Sequence, residues 1–547
     1  MSRFSIPLAV ASLLSVSPAF AFGDPAAIDG DIVLALGDDV AGVGAVTVIR
    51  EVAIDDLGAW YVDVNTDHFN NDLDDAIVKN GAALFQEGDD LALPANTVIG
   101  TFDDLDGSVV DGGMPGWVMF TDGGGLGSPA NQSVMIGNEL LLQGGDDTLV
   151  PGMPAGTIWS SLLDVKANEA DQLLLMSSVT DPDQGFIRAL VKLQHDGMGA
   201  ITDRQLVAYP GMVPSAQADE IIELEWGIHE FGLSDGGHAI YSARLSGSPT
   251  FDRAVLVDGE IVAREGMDSP VPGRPWQVLT NAEVDVNASG DYVLTGILLG
   301  DNADDVLIER SGEVLVREGD VLPGISPFHV TGLGLSAQPG PIHLGDNGNV
   351  LWFGTWSDPD TTKNKGLFLN DRLLVQQNVT VVDGQLLTVL EGTEGSYALS
   401  DDGETVVLRA RVAGNEPVVV VIEAGPWTSL GQGLAGTGGV MPCLEASGPL
   451  TANSDLTLSL TNGLANAPAW FIAGFSELSQ PLKGGVLVPT PDLVIALGLD
   501  GLGALELIVP MPPVVPQGLP VYAQAWVQDA QAPVGLSASN AVLGIAP

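Results

Sequence analysis

The chain has 547 residues, 45% hydrophobic and 16% charged, which is long enough for a large core and more than one domain. Asp and Glu number 71 against 19 Lys and Arg, a formal net charge of −52. This excludes ordinary binding to nucleic-acid phosphates, which requires clustered basic residues, and disfavours docking on anionic lipid. The single cysteine, Cys443, excludes an intrachain disulfide framework and a cysteine-based zinc site.

Residues 1–21 have the pattern of a secretory signal peptide. Arg3 precedes an apolar run over residues 6–16, and Ala19-Phe20-Ala21 gives a small-x-small cleavage pattern. The run is too short for a permanent membrane helix, and no later stretch reaches 18 apolar residues. We therefore expect cleavage near Ala21, a secreted location (periplasmic or extracellular), and no membrane span.

A repeated turn and strand dominates residues 24–426. The clearest copy is the turn Asn287–Gly290, followed by the apolar run Tyr292–Leu294. The Asn or Asp side chain bonds its own turn backbone, and Gly accepts the positive φ that closes the turn. Seven copies are predicted, with turns at residues 55–58, 111–116, 168–171, 234–237, 287–290, 345–348 and 400–403.

Each copy is followed by a second hairpin that often ends in Glu-Gly-Asp, as in Glu318-Gly319-Asp320. Six complete second halves accompany the seven first halves, and the seventh is split. Residues 418–422 have the pattern of its first strand, and residues 31–38 at the N-terminus have the pattern of its second. An array that its own N-terminal strand completes is a ring, which removes an exposed strand edge.

The spacing and the strand count predict the fold class. From Gly58 to Gly403 the turn recurs every 57.5 residues on average, so seven units fill residues 24–426. We predict an all-β chain, with a seven-bladed β-propeller in residues 22–426 closed by the N-terminal strand. The alternative is an open solenoid or a series of separate sandwiches. After Gly425 the repeat stops, and short strand patterns over residues 427–547 predict a small C-terminal β-sandwich.

The chain resembles secreted bacterial proteins built from tandem Asn-x-x-Gly-x-x-x-Phe-type repeats. Its C-terminal stretches are similar to a module of exported planctomycete-like proteins: Phe475–Leu478, Lys483–Pro489, Pro491–Leu493 and Ser537–Ala541. The resemblance implies a propeller-like fold with a C-terminal β-module and an exported location. It supplies no catalytic residues.

One acidic loop is a candidate metal site. Asn70, Asp72 and Asp74 place oxygen ligands at alternate positions, as hard cations such as Ca²⁺ require. Asp181-x-Asp183 and Asp358-x-Asp360 fall in the same loop of other units. No copy has the full calcium-loop pattern with its Gly and terminal Glu, so solvated acidic turns are the alternative. No other cofactor is predicted.

The remaining motifs favour structural roles. Gly232–Gly236 matches the Gly-x-Ser-x-Gly nucleophile pattern, with His229 nearby, but it coincides with the repeat's turn, and a strand follows where a nucleophile elbow needs a helix. The six histidines show no metal-binding spacing. Four tryptophans on repeat strands are expected in the core: Trp60, Trp117, Trp352 and Trp356.

These patterns contain no recognisable catalytic constellation. The predicted function is therefore that of an exported, non-enzymatic binding or surface-interaction module that uses the loops on one face of the ring. We expect a monomer that binds a glycan or a surface protein. The alternative is a secreted polysaccharide hydrolase or lyase, which requires Asp, Glu or His to converge near the axis. A third hypothesis assigns sorting or attachment to the C-terminal module.

Overall fold

A computed structural model describes residues 30–546 apart from residues 56, 71–72, 91–96, 103–115, 124–127, 129, 138, 214–221, 224–229, 247–250, 281, 301–303, 335–339, 426, 449, 452–453 and 517–518. In these residues every regular element is a β-strand except two short 3-10 helices, Pro323–Ile325 and Thr437–Gly439. The all-β prediction is confirmed. The predicted signal peptide and most of the predicted turn at 111–116 lie outside the described residues.

Seven sheets of four or five antiparallel strands are present in the described part of residues 30–423. The first strand, β1 (Gly30–Ala35), belongs to the last of these sheets. Sheet 1 contains β2 (Asp39–Val40), β3 (Gly44–Ile54), β4 (Trp60–Thr66), β5 (Asp75–Lys79) and β6 (Ala82–Gln86). Sheet 2 contains β7 (Thr97–Phe102), β8 (Gly116–Gly123), β9 (Gln132–Ile136) and β10 (Glu139–Gln143). Sheet 3 contains β11 (Ile158–Asn168), β12 (Gln172–Asp181), β13 (Gly185–His195) and β14 (Ile201–Ala208).

The next four sheets share the same pattern, with a short innermost strand. Sheet 4 contains β15 (Ile222–Glu223), β16 (Phe231–Leu233), β17 (Ala239–Leu245), β18 (Arg253–Val257) and β19 (Glu260–Arg264). Sheet 5 contains β20 (Trp276–Val278), β21 (Val284–Val286), β22 (Tyr292–Leu298), β23 (Val306–Arg310) and β24 (Glu313–Arg317). Sheet 6 contains β25 (Val330–Gly332), β26 (Ile342–Leu344), β27 (Val350–Trp356), β28 (Lys365–Leu369) and β29 (Arg372–Gln376). After the hairpin β30 (Val381–Val382) and β31 (Gln385–Leu386), sheet 7 contains β32 (Val389–Leu390), β33 (Tyr397–Leu399), β34 (Thr405–Val412), β35 (Glu416–Glu423) and β1.

Where the structure describes them, the predicted turns connect the innermost strand of a sheet to the next strand. In the turn 287–290, Asn287 Oδ1 accepts the N–H of Ser289 at 3.1 Å, and Gly290 has φ 82°. The most degraded copy, 168–171, keeps the same geometry because Asp171 takes the left-handed position with φ 55°. Asn and Asp tolerate this region better than other non-glycine residues, which explains how the copy lost its Gly and kept its turn.

The position of Gly in the Glu-Gly-Asp motif connects each sheet to the next, although the flanking Glu and Asp are not present in every copy. The residue in the Gly position donates its N–H to the first strand or segment of the following sheet at 2.7–3.0 Å. Seven equivalent bonds are present: Gly37 to Val46, Gly88 to Ile99, Gly145 to Trp159, Gly211 to Ile222, Gly266 to Trp276, Gly319 to Val330, and Asn378 to Leu387. All seven donors have positive φ, which is why Gly or Asn stands there.

The split unit pairs as its sequence predicts. β1 lies antiparallel to β35, with Gly30 opposite Ile422 and Ala35 opposite Val418. Its Leu34 stands three residues before Gly37, the position that Phe85, Val316 and Val375 hold in other sheets. All four side chains are buried. β1 therefore occupies the outermost place in sheet 7, although it comes first in the chain.

The hydrophobic cores lie between consecutive sheets. Six clusters join sheets 1 and 2, 2 and 3, 3 and 4, 4 and 5, 5 and 6, and 6 and 7. A seventh cluster joins sheet 7 to sheet 1, and includes Leu34, Val62 and Val407. Across the same junction, the Arg409 guanidinium donates to the carbonyl of Ile49 at 3.1 Å. The four predicted core tryptophans are all buried, which confirms that prediction.

The C-terminal residues form further sheets. Their strands are β36 (Trp427–Gly431), β37 (Cys443–Ser447), β38 (Asp455–Thr461), β39 (Pro468–Gly474), β40 (Glu477–Leu482), β41 (Gly485–Pro489), β42 (Leu493–Gly498), β43 (Leu505–Pro510), β44 (Pro520–Gln528) and β45 (Leu536–Ile545). Sheet 8 has the order β36-β45-β44-β39-β42, and sheet 9 has the order β37-β38-β43. Both sheets contribute to one core cluster that includes Leu458 and Phe471. The hairpin β40–β41 packs a second cluster, with Leu487 against Ile472 and Trp526.

Candidate functional site

A cavity of about 110 Å³ lies where the innermost strands of six sheets converge. We call it the inner cavity. It is lined by residues in or next to β3, β11, β16, β21, β26 and β33. Residues 103–115, which precede β8 of sheet 2, lie outside the described residues.

The repeat determines which side chains reach this cavity. Neighbouring residues of a strand point to opposite sides, and the residues on either side of each lining position pack in the clusters between sheets. The position two residues before the turn lines the cavity in all six sheets: Ala53, Lys166, Gly232, Asp285, His343 and Ala398. Six copies of one backbone position thus carry five different residue types, since Ala occurs twice.

The charge around the inner cavity is predominantly negative. Two lining residues, Lys166 and His343, can carry a positive charge. Five lining residues carry carboxylates: Glu230, Glu283, Asp285, Glu394 and Asp401. A concave site with an excess of one charge concentrates ligands of the opposite charge, so this cavity favours a cationic group.

Asp285 links two sheets as well as lining the cavity. Its Oδ1 accepts the N–H of Val286 at 2.8 Å, and its Oδ2 accepts the N–H of Leu344 in sheet 6 at 2.7 Å. A Cβ atom at Gly232 of sheet 4 would lie 3.2 Å from Asp285 Oδ1. Glycine at position 232 avoids this close contact with Asp285. Both carboxylate oxygens thus accept backbone N–H groups, one of them from the next sheet, which gives Asp285 a structural role.

His343 lines the cavity and carries a buried polar atom that is unsatisfied in the described residues. Its Nε2 is buried and has no hydrogen-bond partner in the described part of the chain. Its ring stands edge-on to Tyr397, with 5.6 Å between the ring centroids, and the Tyr397 hydroxyl donates to the carbonyl of Pro341 at 2.5 Å. A buried ring nitrogen without a partner costs free energy.

The Gly-x-Ser-x-Gly stretch is a turn, as its place in the repeat predicts. Ser234 Oγ accepts the backbone N–H of His238 at 3.2 Å. The His238 ring instead pairs with Asp258, 2.6 Å from Nδ1 to Oδ2, and its Nε2 faces Gly290 of the next sheet. Ser234 and the His238 ring make no hydrogen bond, so these three residues do not form a catalytic triad. His229 lies outside the described residues.

The predicted calcium loop is only partly described. Asp72 lies outside the described residues. Asn70 accepts the N–H of Leu73 at 3.1 Å, and the Asp74 carbonyl accepts the N–H of Thr66 at 2.8 Å, both through backbone oxygens. The assignment of Asn70, Asp72 and Asp74 to Ca²⁺ therefore stays a prediction.

A second acidic loop uses its carboxylate within the protein. Asp181 Oδ1 accepts the N–H of Asp183 at 2.6 Å, and its Oδ2 accepts the hydroxyl of Tyr209. Burial raises the pKa of Asp181, but the hydrogen bonds from Tyr209 and from the backbone outweigh it and hold the pKa below its usual value. In the described residues, no three His, Cys, Asp or Glu side chains are grouped to hold a metal ion.

Sequence reasoning did not identify the inner cavity. Lys166, Asp285 and His343 stand at the same distance before their turns, and this register was the signal that could have grouped them. The sequence predicts no membrane span, and none of the described helices has the length and apolar character to cross a bilayer.

Comparisons with known proteins give no assignment. No family model matches the chain, and no curated protein matches it. TolB from Acinetobacter baumannii is 12% identical with a TM-score of 0.26, covering 69% of this chain and 79% of its own. The soluble aldose sugar dehydrogenase from Escherichia coli is 13% identical with a TM-score of 0.19, covering 55% and 94%. A tandem repeat from a large adhesion protein is 9% identical with a TM-score of 0.14, covering 72% and 94%. No function is taken from scores this low.

Proposed function

We propose that this chain is an exported, non-enzymatic β-propeller protein that binds a ligand at its inner cavity. Residues 22–426 form seven blades closed by β1, and residues 427–547 form a C-terminal β-sandwich. Support for closure comes from the pairing of β1 with β35 and from the cyclic order of the seven clusters between sheets. A ring of sheets brings its innermost strands together at one axis.

The acidic lining of the inner cavity carries the binding proposal. Ligand pockets usually enclose about 300–1,000 Å³, whereas this cavity encloses about 110 Å³. That volume accommodates roughly seven to eleven water molecules, since each needs about 10–15 Å³ of such space. It is enough for one charged group and too small for a length of polysaccharide. The cavity therefore holds the cationic end of a larger ligand, such as an amino-bearing glycan or a basic segment of a surface protein.

A polysaccharide hydrolase or lyase is the second candidate. In its favour, five carboxylates and His343 line the inner cavity. Asp285 counts against it, because both of its oxygens already accept backbone N–H groups. A general acid must instead present a protonated carboxyl to the leaving group.

A thermal-shift screen with residues 22–547 tests both functions. Amino-bearing oligosaccharides and basic peptides should raise the melting temperature, since a ligand that prefers the folded state stabilises it. The double variant Glu230→Gln/Glu283→Gln should lose the shift, while Glu260→Gln, an exposed carboxylate on β19, should keep it.

Product formation is measured on the same ligands. Turnover that Glu283→Gln abolishes would establish the enzyme and end the non-enzymatic proposal. A shift that the double variant retains would remove the inner cavity as the site.

A further inference from the structure

Sheet 8 ends in a strand whose outer edge has no partner. β42 pairs with β39 along one side, and no described strand pairs with its other side. The outward N–H and C=O groups of such a strand are a template for another strand. This edge lies outside the residues that form the inner cavity, so the inference is independent of the proposed function.

The side chains of β42 lack the usual protection of an edge. Leu493 and Val494 are 53% and 52% exposed, and Leu493–Gly498 contains no charged residue or Pro. Charged residues on edge strands normally block pairing with other chains. Six of the seven outermost strands of sheets 1–7 contain such a residue, on β1, β10, β14, β19, β24 and β29.

On both faces of β42, apolar side chains continue the packing of the neighbouring strands as far as the unpaired edge. Ile495 and Leu497 pack against the core cluster shared by sheets 8 and 9. Val494 lies opposite Ile472, which belongs to the second cluster with Trp526. An added strand with alternating apolar residues would extend both rows, because cross-strand neighbours on one face lie about 5 Å apart.

The charges beside β42 favour pairing with a strand of another protein over pairing with a second copy of this chain. Asp492 precedes β42 and Asp500 follows it closely. Hydrogen bonds from the N–H groups of Ala504 and Leu502 hold the pKa of Asp500 below its usual value, so it is charged at neutral pH. Antiparallel self-pairing of β42 would place Asp492 of one chain near Asp500 of the other at both ends, and each chain carries a net charge of −52. Like charges across strands are destabilising.

We propose that β42 binds, by strand addition, an extended segment of another protein with alternating apolar residues over about six positions and Lys or Arg at both ends. The backbone edge supplies affinity, the exposed Leu493 and Val494 contact the apolar residues, and the flanking Asp492 and Asp500 attract the basic ends. Strand addition of this kind requires no cavity.

Fluorescence anisotropy with residues 22–547 and a labelled peptide, alternating Val and Thr between two pairs of Lys, tests the proposal. The peptide should bind, and salt should weaken binding because the flanking charges are exposed. Val494→Lys should weaken it by about tenfold or more, since it places a like charge against the basic peptide. Leu493→Lys repeats the test at a second exposed position.

Two controls make the result decisive. Ile508→Lys, 56% exposed on the edge strand β43 of sheet 9, should bind as tightly as the unchanged chain. A peptide with Glu in place of Lys should not bind. The proposal would be overturned if the Glu peptide bound as tightly as the Lys peptide. It would also be overturned if neither Val494→Lys nor Leu493→Lys weakened binding while the melting temperature stayed unchanged. A dimer, detected by light scattering, that Val494→Lys dissociates would overturn it as well.

Discussion

Truncating one side chain of β1 tests whether the N-terminal strand closes the array. Leu34 is 3% exposed, lies opposite Val419, and belongs to the cluster that joins sheets 7 and 1. Leu34→Ala removes three carbon atoms from this cluster. If closure holds the sheets together, the loss is felt on both sides of the junction.

The expected cost follows from the burial. A buried Leu→Ala change costs about 2–5 kcal/mol in transfer and cavity terms, and we expect about 3 kcal/mol here. Unfolding entropy of about 2.1 cal/mol/K per residue, over roughly 390 residues, converts this to a decrease of about 4 °C in melting temperature. Leu36→Ala is the matched control, since Leu36 is 37% exposed and should cost less than about 1 kcal/mol.

The assay is denaturant unfolding combined with hydrogen exchange. In Leu34→Ala, amide protection should decrease in β34 and β35 and also in β3 and β4, because all of them contribute to the same cluster. Equal unfolding midpoints for the two variants, or lost protection confined to β1, would refute the closed ring.

Three further changes probe other features of the chain. Burial raises the pKa of Asp63 to about 6. The folded state therefore binds this proton more tightly than the unfolded state, and the resulting stabilisation is lost as the pH rises from about 4 to 6. Asp63→Asn should make the free energy of unfolding less dependent on pH across that window. Gly236→Ala should destabilise by about 1–3 kcal/mol in urea unfolding, since its Cβ would lie 2.2 Å from the carbonyl oxygen of Ala288. If residues 70–74 bind Ca²⁺, a free Ca²⁺ concentration of 100 times the Kd should raise the free energy of unfolding by about 2.7 kcal/mol. Asp72→Asn or Asp74→Asn should reduce this increase.

For each of these three predictions, one result would contradict the physical reason behind it. If Asp63→Asn leaves the pH dependence of the unfolding free energy unchanged, burial does not raise the pKa of Asp63 against the opposing effect of Arg50. Gly501→Ala, with open space around it, is the control for Gly236→Ala, and equal stability of the two would contradict the contact between sheets. Equal calcium stabilisation of the unchanged chain and of both Asp variants would exclude residues 70–74.

Local backbone chemistry explains what the sequence could predict. A turn that needs Asn287 and Gly290, or a link that needs Gly319, is specified by adjacent residues, so the repeat and the split unit were both readable. The inner cavity was not evident from the sequence, although β21 and β26 each place one polar residue, Asp285 or His343, between two buried apolar ones. The equal distance of Asp285 and His343 before their turns marks them as equivalent positions. Their common cavity depends on packing between units almost 60 residues apart, which a local pattern does not specify.

The place of β1 in sheet 7 has a consequence for how the chain is made. Ala35 pairs with Val418, 383 positions later. At about 5–20 residues per second, synthesis takes roughly 20–80 s to cover that distance. Throughout this time Ile32, Val33 and Leu34 are an apolar segment without their native partner. Of the described strands, β1 is the first to leave the ribosome and among the last to pair with its neighbours, so a holding chaperone would protect it longest.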